Sequence, residues 1–279
     1  MARAPVQAKG KPWRSRRKID KFLRWQSGFL PMNSLEQRAG LRRFGGRVLD
    51  FLLPPQCLAC GVTIGQQGTL CTACWEEINF LAPPFCDICG YPFEFDPGEA
   101  ALCASCLDRR PVYGRGRAVM RYASPARDLV LGFKHGDRVH GAPAFGRWLA
   151  RAGRELLLDA DLLVPVPLHW TRLFQRRFNQ SVLMARSLSH LSGVPVAADL
   201  LVRLRRTPSQ GRLNPAARRR NVQGAFALRP GREAVLAGQQ VLLIDDVLTT
   251  GATVEACAEA LLDAGAVGVD VLTLARVIR

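Results

Sequence analysis

Four pairs of cysteines and one run of thirteen residues carry the recognisable chemistry of this sequence. The pairs are Cys57 and Cys60, Cys71 and Cys74, Cys86 and Cys89, and Cys103 and Cys106, each spaced Cys-x-x-Cys and separated by ten, eleven and thirteen residues. Such a knuckle turns two thiolates toward one point, and two knuckles supply four sulfurs at about 2.3 Å around a tetrahedral Zn²⁺. Eight cysteines therefore predict two closed Zn²⁺ sites, structural rather than catalytic, because four sulfurs leave no position for water. Neighbour pairing joins Cys57, Cys60, Cys71 and Cys74, then Cys86, Cys89, Cys103 and Cys106, as a double zinc ribbon. The spacing leaves cross-braced pairing and an iron–sulfur cluster open. Reduced cysteines packed as hydrophobes would not explain four identical spacings. Cys257, inside a later apolar pattern, reads as a small core residue.

The run is Val241-Leu242-Leu243-Ile244-Asp245-Asp246-Val247-Leu248-Thr249-Thr250-Gly251-Ala252-Thr253. Its first four residues read as a strand buried on both faces. Two carboxylates follow at the strand's end, the usual ligand edge of an open α/β sheet. A hydroxyl-rich turn with one glycine then opens a helix, whose free N–H groups can hold a phosphate. The carboxylates can accept hydrogen bonds from sugar hydroxyls. One aspartate could merely cap the helix. Two acids beside an anion site require a sugar or a metal between them and the anion.

The elements that position this run are those of a parallel α/β sheet. Strands are expected at 112–122, 162–167, near Phe226, at 240–245 and at 267–275. Helices are expected at 125–134, 144–157, 176–191 and 252–262. The domain reading divides the chain into a basic, disordered arm (1–34), an amphipathic-helix segment (35–56), the ribbon module (57–110) and the α/β domain (111–279). The module is poor in apolar runs and needs metal to fold. Chelation is expected to unfold it while leaving the α/β domain largely intact.

Charge is unevenly spread. The chain carries +16, of which residues 1–49 hold +11, thirteen Lys and Arg standing against Asp20 and Glu36. Two readings of this segment stand: a solvated basic arm, or an extension upstream of a start at Met32. Residues 201–221 contain seven arginines and no acid, which suits a solvated linker, a loop closing over a ligand, or contacts to a nucleic-acid backbone. Hydrophobic residues make up 48% and charged residues 22%, values of a globular rather than disordered chain. No stretch approaches the roughly 20 apolar residues of a membrane span, and no secretory h-region is evident, so a cytoplasmic location is expected.

The thirteen-residue run matches the signature of type I phosphoribosyltransferases at every position. Residues 50–279 further resemble the ComF family, competence-protein-F-like chains with a zinc ribbon ahead of a phosphoribosyltransferase domain. The resemblance is carried by Phe133-Lys134-His135-Gly136-Asp137, Val164-Pro165-Val166-Pro167, Phe178-Asn179-Gln180, Arg206-Thr207 with Gln210, and Arg218 to Phe226. One departure is Arg177, where many members have glycine. The resemblance implies a type I phosphoribosyltransferase fold with a central parallel sheet, and binding of phosphoribosyl diphosphate (PRPP) with Mg²⁺. Thr249, Thr250, Gly251, Ala252 and Thr253 would hold the 5′-phosphate, and Asp245 and Asp246 the ribose hydroxyls. Val164, Pro165, Val166 and Pro167 would form the diphosphate-side loop. Lys134, Arg172 and Arg176 are candidates for neutralising the leaving group, and Arg205 and Arg206 for closing over the ligand. It also implies a role in DNA uptake, with single-stranded DNA and DNA-uptake or helicase proteins as partners. The alternative function is a non-catalytic single-strand-handling module with a PRPP-sensing site.

Overall fold

The computed structural model describes residues 54–135, 138–207 and 215–278 of the 279-residue chain. The expected arm and amphipathic helix lie outside the described residues, as does the 208–214 part of the arginine-rich connection. Everything described here falls within one compact unit, Asp50–Arg279.

The apolar run at 241–244 becomes the centre of strand β5 (Gln240–Leu248), which extends three residues beyond the expected end at Asp245. Its alternating side chains enter two different cores: Leu242 and Ile244 one, Val241 and Leu243 the other. Burial on both faces requires parallel partners on both edges. These are β6 (Gly268–Arg276) and β2 (Leu162–Pro165), with β1 (Gly116–Arg121) beyond β6, giving the all-parallel order β1-β6-β5-β2.

One face is covered by α3 (Ala126–His135), α4 (Ala142–Ala152), the short α5 (Arg154–Asp159) and α7 (Gln180–Ser192). Phe133 of α3 and Phe145 of α4 meet edge-on at its centre, centroids 4.8 Å apart. The opposite face carries α10 (Ala252–Asp263) and an antiparallel pair, β3 (Leu201–Arg203) with β4 (Phe226–Leu228). The helix expected at 144–157 breaks at Gly153. A β-carbon there would lie 2.5 Å from Leu272 Cδ2, so a larger residue would force the buried Leu272 side chain to shift.

The ribbon is part of this architecture rather than an appendage. Cys57, Leu58, Ala59, Cys74 and Ile78 belong to the same core as Phe133 and Phe145. Phe80 bridges Met120 of β1, and Arg138 donates to the carbonyls of Leu58 and Ala59. The second knuckle pair has its own small cluster with Ile88, Tyr91, Phe93 and Leu102. The expected independence of the module therefore fails for its first half.

The helix expected at 176–191 starts four residues later, at Gln180, and a separate short helix precedes it. A short α6 (Trp170–Arg176) ends at Arg177, whose φ of 64° and ψ of −8° are left-handed, and α7 starts three residues later. A left-handed residue with a β-carbon carries roughly 1–2 kcal/mol of strain, part of which glycine gives back through its larger unfolded entropy. Arg177→Gly is accordingly expected to stabilise the folded chain by about 0.5–1 kcal/mol. Urea unfolding of the zinc-loaded protein would show this as a higher midpoint with an unchanged slope; a lower midpoint would mean that the arginine makes contacts outweighing its strain.

Candidate functional site

From β2 the chain leaves to α7 on one face, and from β5 it leaves to α10 on the other. The carboxyl ends of these adjacent strands therefore form a topological switch point, where open α/β sheets bind ligands. Asp245, Asp246, Val166 and the N-termini of α7 and α10 all converge there.

Asp246 is buried, and each of its oxygens has a partner. Lys134 Nζ lies 3.1 Å from its Oδ1, and Gln180 Nε2 donates to its Oδ2 at 2.6 Å. Gln180 also accepts from Arg176 Nη1 at 3.4 Å, extending the network to the end of α6. Asp245 Oδ1 accepts from its neighbour's backbone N–H at 2.9 Å and from Ser181 Oγ at 3.3 Å. Burial first, then the adjacent Asp246 charge, pushes the Asp245 carboxyl up to about 7. Asp246 is thus held in an ion pair, while burial beside it favours the protonated form of Asp245.

Asn179 ties the same corner together. Its side-chain oxygen caps α7 through the Ser181 N–H at 2.9 Å, and its Nδ2 donates to Val166 O at 3.0 Å. In the 164–167 stretch, Val166 N–H is already given to Ile244 O and the two prolines have none. Cationic groups facing this edge come from α6, where Arg172 donates to Thr207 O at 3.2 Å. Burial first, then neighbouring Arg176 and Arg206, lowers the Arg172 guanidinium from its ordinary value. Arg205 donates to Gln223 O at 2.7 Å, and both Arg205 and Arg206 are exposed.

The turn 249–251 leads into α10 with Gly251 at φ 80°, the N-cap, and no side chain capping the helix. The Thr250 hydroxyl is buried and has no hydrogen-bond partner among the described residues. Thr249, Thr250 and Gly251 line a cavity of about 550 Å³ whose far wall is the second knuckle pair, including Cys103, Ser105 and Arg109. Arg219 and Arg276 also line it, whereas Asp245, Asp246 and Lys134 do not. Glu255, in the first turn of α10, would repel an anion here, but Arg109 Nη2 donates to both its oxygens at 2.7 and 2.8 Å.

Gln180, Ser181, Asn179 and Arg109 were not among the expected site residues. The Phe-Asn-Gln segment was a usable signal for the first three, since an asparagine cap followed by an amide marks a helix opening. Nothing in the sequence pairs Arg109 with Glu255, 146 residues away.

The cysteines fall into the neighbour-paired tetrads: Cys57, Cys60, Cys71 and Cys74, and Cys86, Cys89, Cys103 and Cys106, with the sulfurs of each within 4.8 Å of one another. Four sulfurs at about 2.3 Å from a tetrahedral ion sit roughly 3.8 Å apart. Cys60 and Cys71 Sγ are 3.7 Å apart, and Cys89 and Cys103 Sγ 3.6 Å. Both tetrads fit zinc. Burial opposes the Cys57 thiolate, but N–H groups of Cys60, Cys71 and Ala59 bring it down to about 6. Cys86 is brought to about 7 by the N–H groups of Cys89, Cys103 and Ile88 acting against burial. Burial raises Cys74 and Cys106 well above the ordinary thiol range, so loading a metal must release protons.

A double zinc ribbon matches residues 48–109 and a phosphoribosyl transferase domain residues 161–278. With the parallel sheet and the cysteine tetrads, these matches define the class: a zinc ribbon joined to a type I phosphoribosyltransferase fold. The chain is 33% identical over 232 residues to the DNA utilization protein YhgH of Salmonella typhi, covering 80% of this chain and 98% of that one. It is 28% identical over 228 residues to competence protein F of Haemophilus influenzae, covering 79% and 96%. Competence protein ComFC of Bacillus subtilis is 26% identical over 242 residues, covering 79% and 94%. The chain belongs to the ComF family.

Two outcomes follow from this geometry. Elemental analysis is expected to give two zinc ions per chain. Because Trp75 of the ribbon packs 6.3 Å from Trp148 of α4, chelation should collapse the near-ultraviolet dichroism of the α/β core as well. A stripped protein that keeps this signal would show that the first metal is dispensable to the core. The second outcome concerns pH. Asp245 stays protonated in the folded chain up to about pH 7 and only to about 4 when unfolded. Its contribution to stability is therefore full below about pH 4 and is lost as pH rises through about 7. The stability gain from Asp245→Asn, read by urea unfolding, should grow from pH 5 to pH 8; a pH-independent difference would place the titration elsewhere.

Proposed function

We propose that this chain binds PRPP with Mg²⁺ at the β2/β5 switch point and transfers its phosphoribosyl group to an acceptor. The observation that carries the reading is the turn 249–251. An uncapped twelve-residue helix opens behind a left-handed glycine, and the buried hydroxyl of Thr250 has no partner among the described residues, beside a cavity where a phosphate would supply one.

In this reading Thr249 to Thr253 hold the 5′-phosphate, and the Asp245 and Asp246 carboxylates accept the ribose hydroxyls. Mg²⁺ would be held mainly by ligand oxygens and water, in keeping with its reluctance to shed hydration. As diphosphate leaves C1, positive charge builds on the sugar, and Asp245 and Asp246 stabilise it while a nucleophile arrives from the opposite face. Lys134, tied to Asp246 in the free chain, and Arg172 and Arg176 of α6 face the leaving group. Arg205 and Arg206 close over it. Arg109 keeps Glu255 from opposing the phosphate.

The names of the relatives, a DNA utilization protein and competence proteins, support a role in DNA uptake and utilisation. In this reading single-stranded DNA and DNA-uptake or helicase proteins are the partners, in the cytoplasm. No helix among the described residues is long and apolar enough to cross a membrane.

Calorimetry with PRPP and Mg²⁺ tests the phosphoribosyl half. Asp245→Asn with Asp246→Asn should weaken binding and lower any turnover by a larger factor, since charge stabilisation acts most in the transition state. Gly251→Val should abolish binding, because a β-branched residue cannot hold φ near 80° and would remake the turn. Wild-type protein giving no heat at millimolar ligand would overturn the reading, and a Gly251→Val protein binding normally would move the phosphate elsewhere.

A further inference from the structure

Helix α6 buries none of its residues. Trp170, Leu173 and Phe174 stand one turn apart on one side of it, with Trp170 71% and Phe174 86% exposed. Phe174 is the most exposed large hydrophobic side chain among the described residues. Chains seldom leave two neighbouring aromatic rings in water without a use for them.

The charge around this stripe is of one sign. From residue 162 to 232 the sequence holds thirteen arginines, no lysine and a single acid, Asp199. That acid is paired with Arg232. Arg172 and Arg176 lie on α6 itself, Arg177 caps it and is exposed, and Arg172 reaches the 204–207 segment through Thr207 O. Burial first, then Arg172 as a neighbour, lowers the Arg203 guanidinium. Guanidinium groups that outnumber their carboxylates this heavily fit a polyanion. Flat rings exposed between them add what a bare polyanion does not use: faces for bases to stack upon.

The geometry points to α6 as a binding surface for single-stranded nucleic acid, with bases stacked on Trp170 and Phe174 and phosphates held by Arg177 and its arginine neighbours. This rests on the DNA-handling half of the function proposed above and is independent of the phosphoribosyl half. Because α6 leads from the 164–167 stretch to the network around Gln180, a strand on it would run past the mouth of the phosphoribosyl site. Stacking on ring faces is tolerant of sequence, and phosphate contacts make affinity fall with salt.

Anisotropy of a labelled oligothymidine strand with the full zinc-loaded chain tests the surface, with inorganic polyphosphate as a polyanion that has no bases. Trp170→Ala with Phe174→Ala should weaken oligothymidine binding by at least about tenfold and leave polyphosphate binding unchanged. Arg177→Gln should weaken both and flatten the salt dependence. PRPP heats should stay as in the wild type for the double aromatic variant. If wild-type protein binds oligothymidine and the aromatic variant binds it equally, the α6 surface is wrong while DNA handling survives. If wild-type protein binds no single strand at low salt, both fall. Loss in the aromatic variant of self-association or of binding to anionic vesicles, with oligothymidine binding intact, would assign the stripe to another partner and overturn the inference.

Discussion

Two adjacent carboxylates near the carboxyl end of a strand buried on both faces are the constraint around which this molecule is arranged. Placed there without partners, they would oppose folding through desolvation and mutual repulsion. The surrounding elements answer that cost residue by residue. Helix α3 delivers Lys134 and α7 delivers Gln180 and Ser181, while the backbone of the strand supplies an N–H of its own. The side of the sheet on which α7 packs, its Asn179 cap, and the link from that cap to Val166 all serve to bring those partners to one corner. The turn 249–251 follows directly along the chain, lining a cavity whose walls do not include the two acids.

The second half of the ribbon bears on that turn from outside. Arg109, at the end of the helix following Cys103, neutralises Glu255 in the opening of α10, and Arg276 at the end of β6 donates to the Cys89 carbonyl at 2.5 Å and to its sulfur at 3.3 Å. A knuckle that looks like a separate module in the sequence thus forms one wall of the cavity at the turn 249–251. Its metal would hold that wall in place without taking part in any chemistry.

Much of this was legible before any coordinates. The spacing of the cysteines announced two tetrads, and the run 241–253 announced a buried strand, an acid pair and a turn, because each rests on local geometry that spacing determines. Boundaries and long-range partners were less accessible. The break between α6 and α7 was hidden because an arginine occupies the left-handed position that glycine would have marked. The strand Leu201–Arg203 was lost among arginines, three residues being too few to display a period of two. That Cys57 and Leu58 share a core with Phe133 depends on contacts across some eighty residues, which no local pattern records.

The merging of the first knuckle with that core also bears on the order in which the chain is made. Residues 57–74 leave the ribosome well before Phe133, Phe145 and Leu149, the residues against which Leu58 must pack, have been synthesised. During that interval the nascent chain would present an apolar face with no partner. A closed loop of only eighteen residues around one metal ion needs nothing that comes later in the sequence. The ion can fix the shape of the face while it waits, so that the sheet and its helices assemble on a template that is already folded.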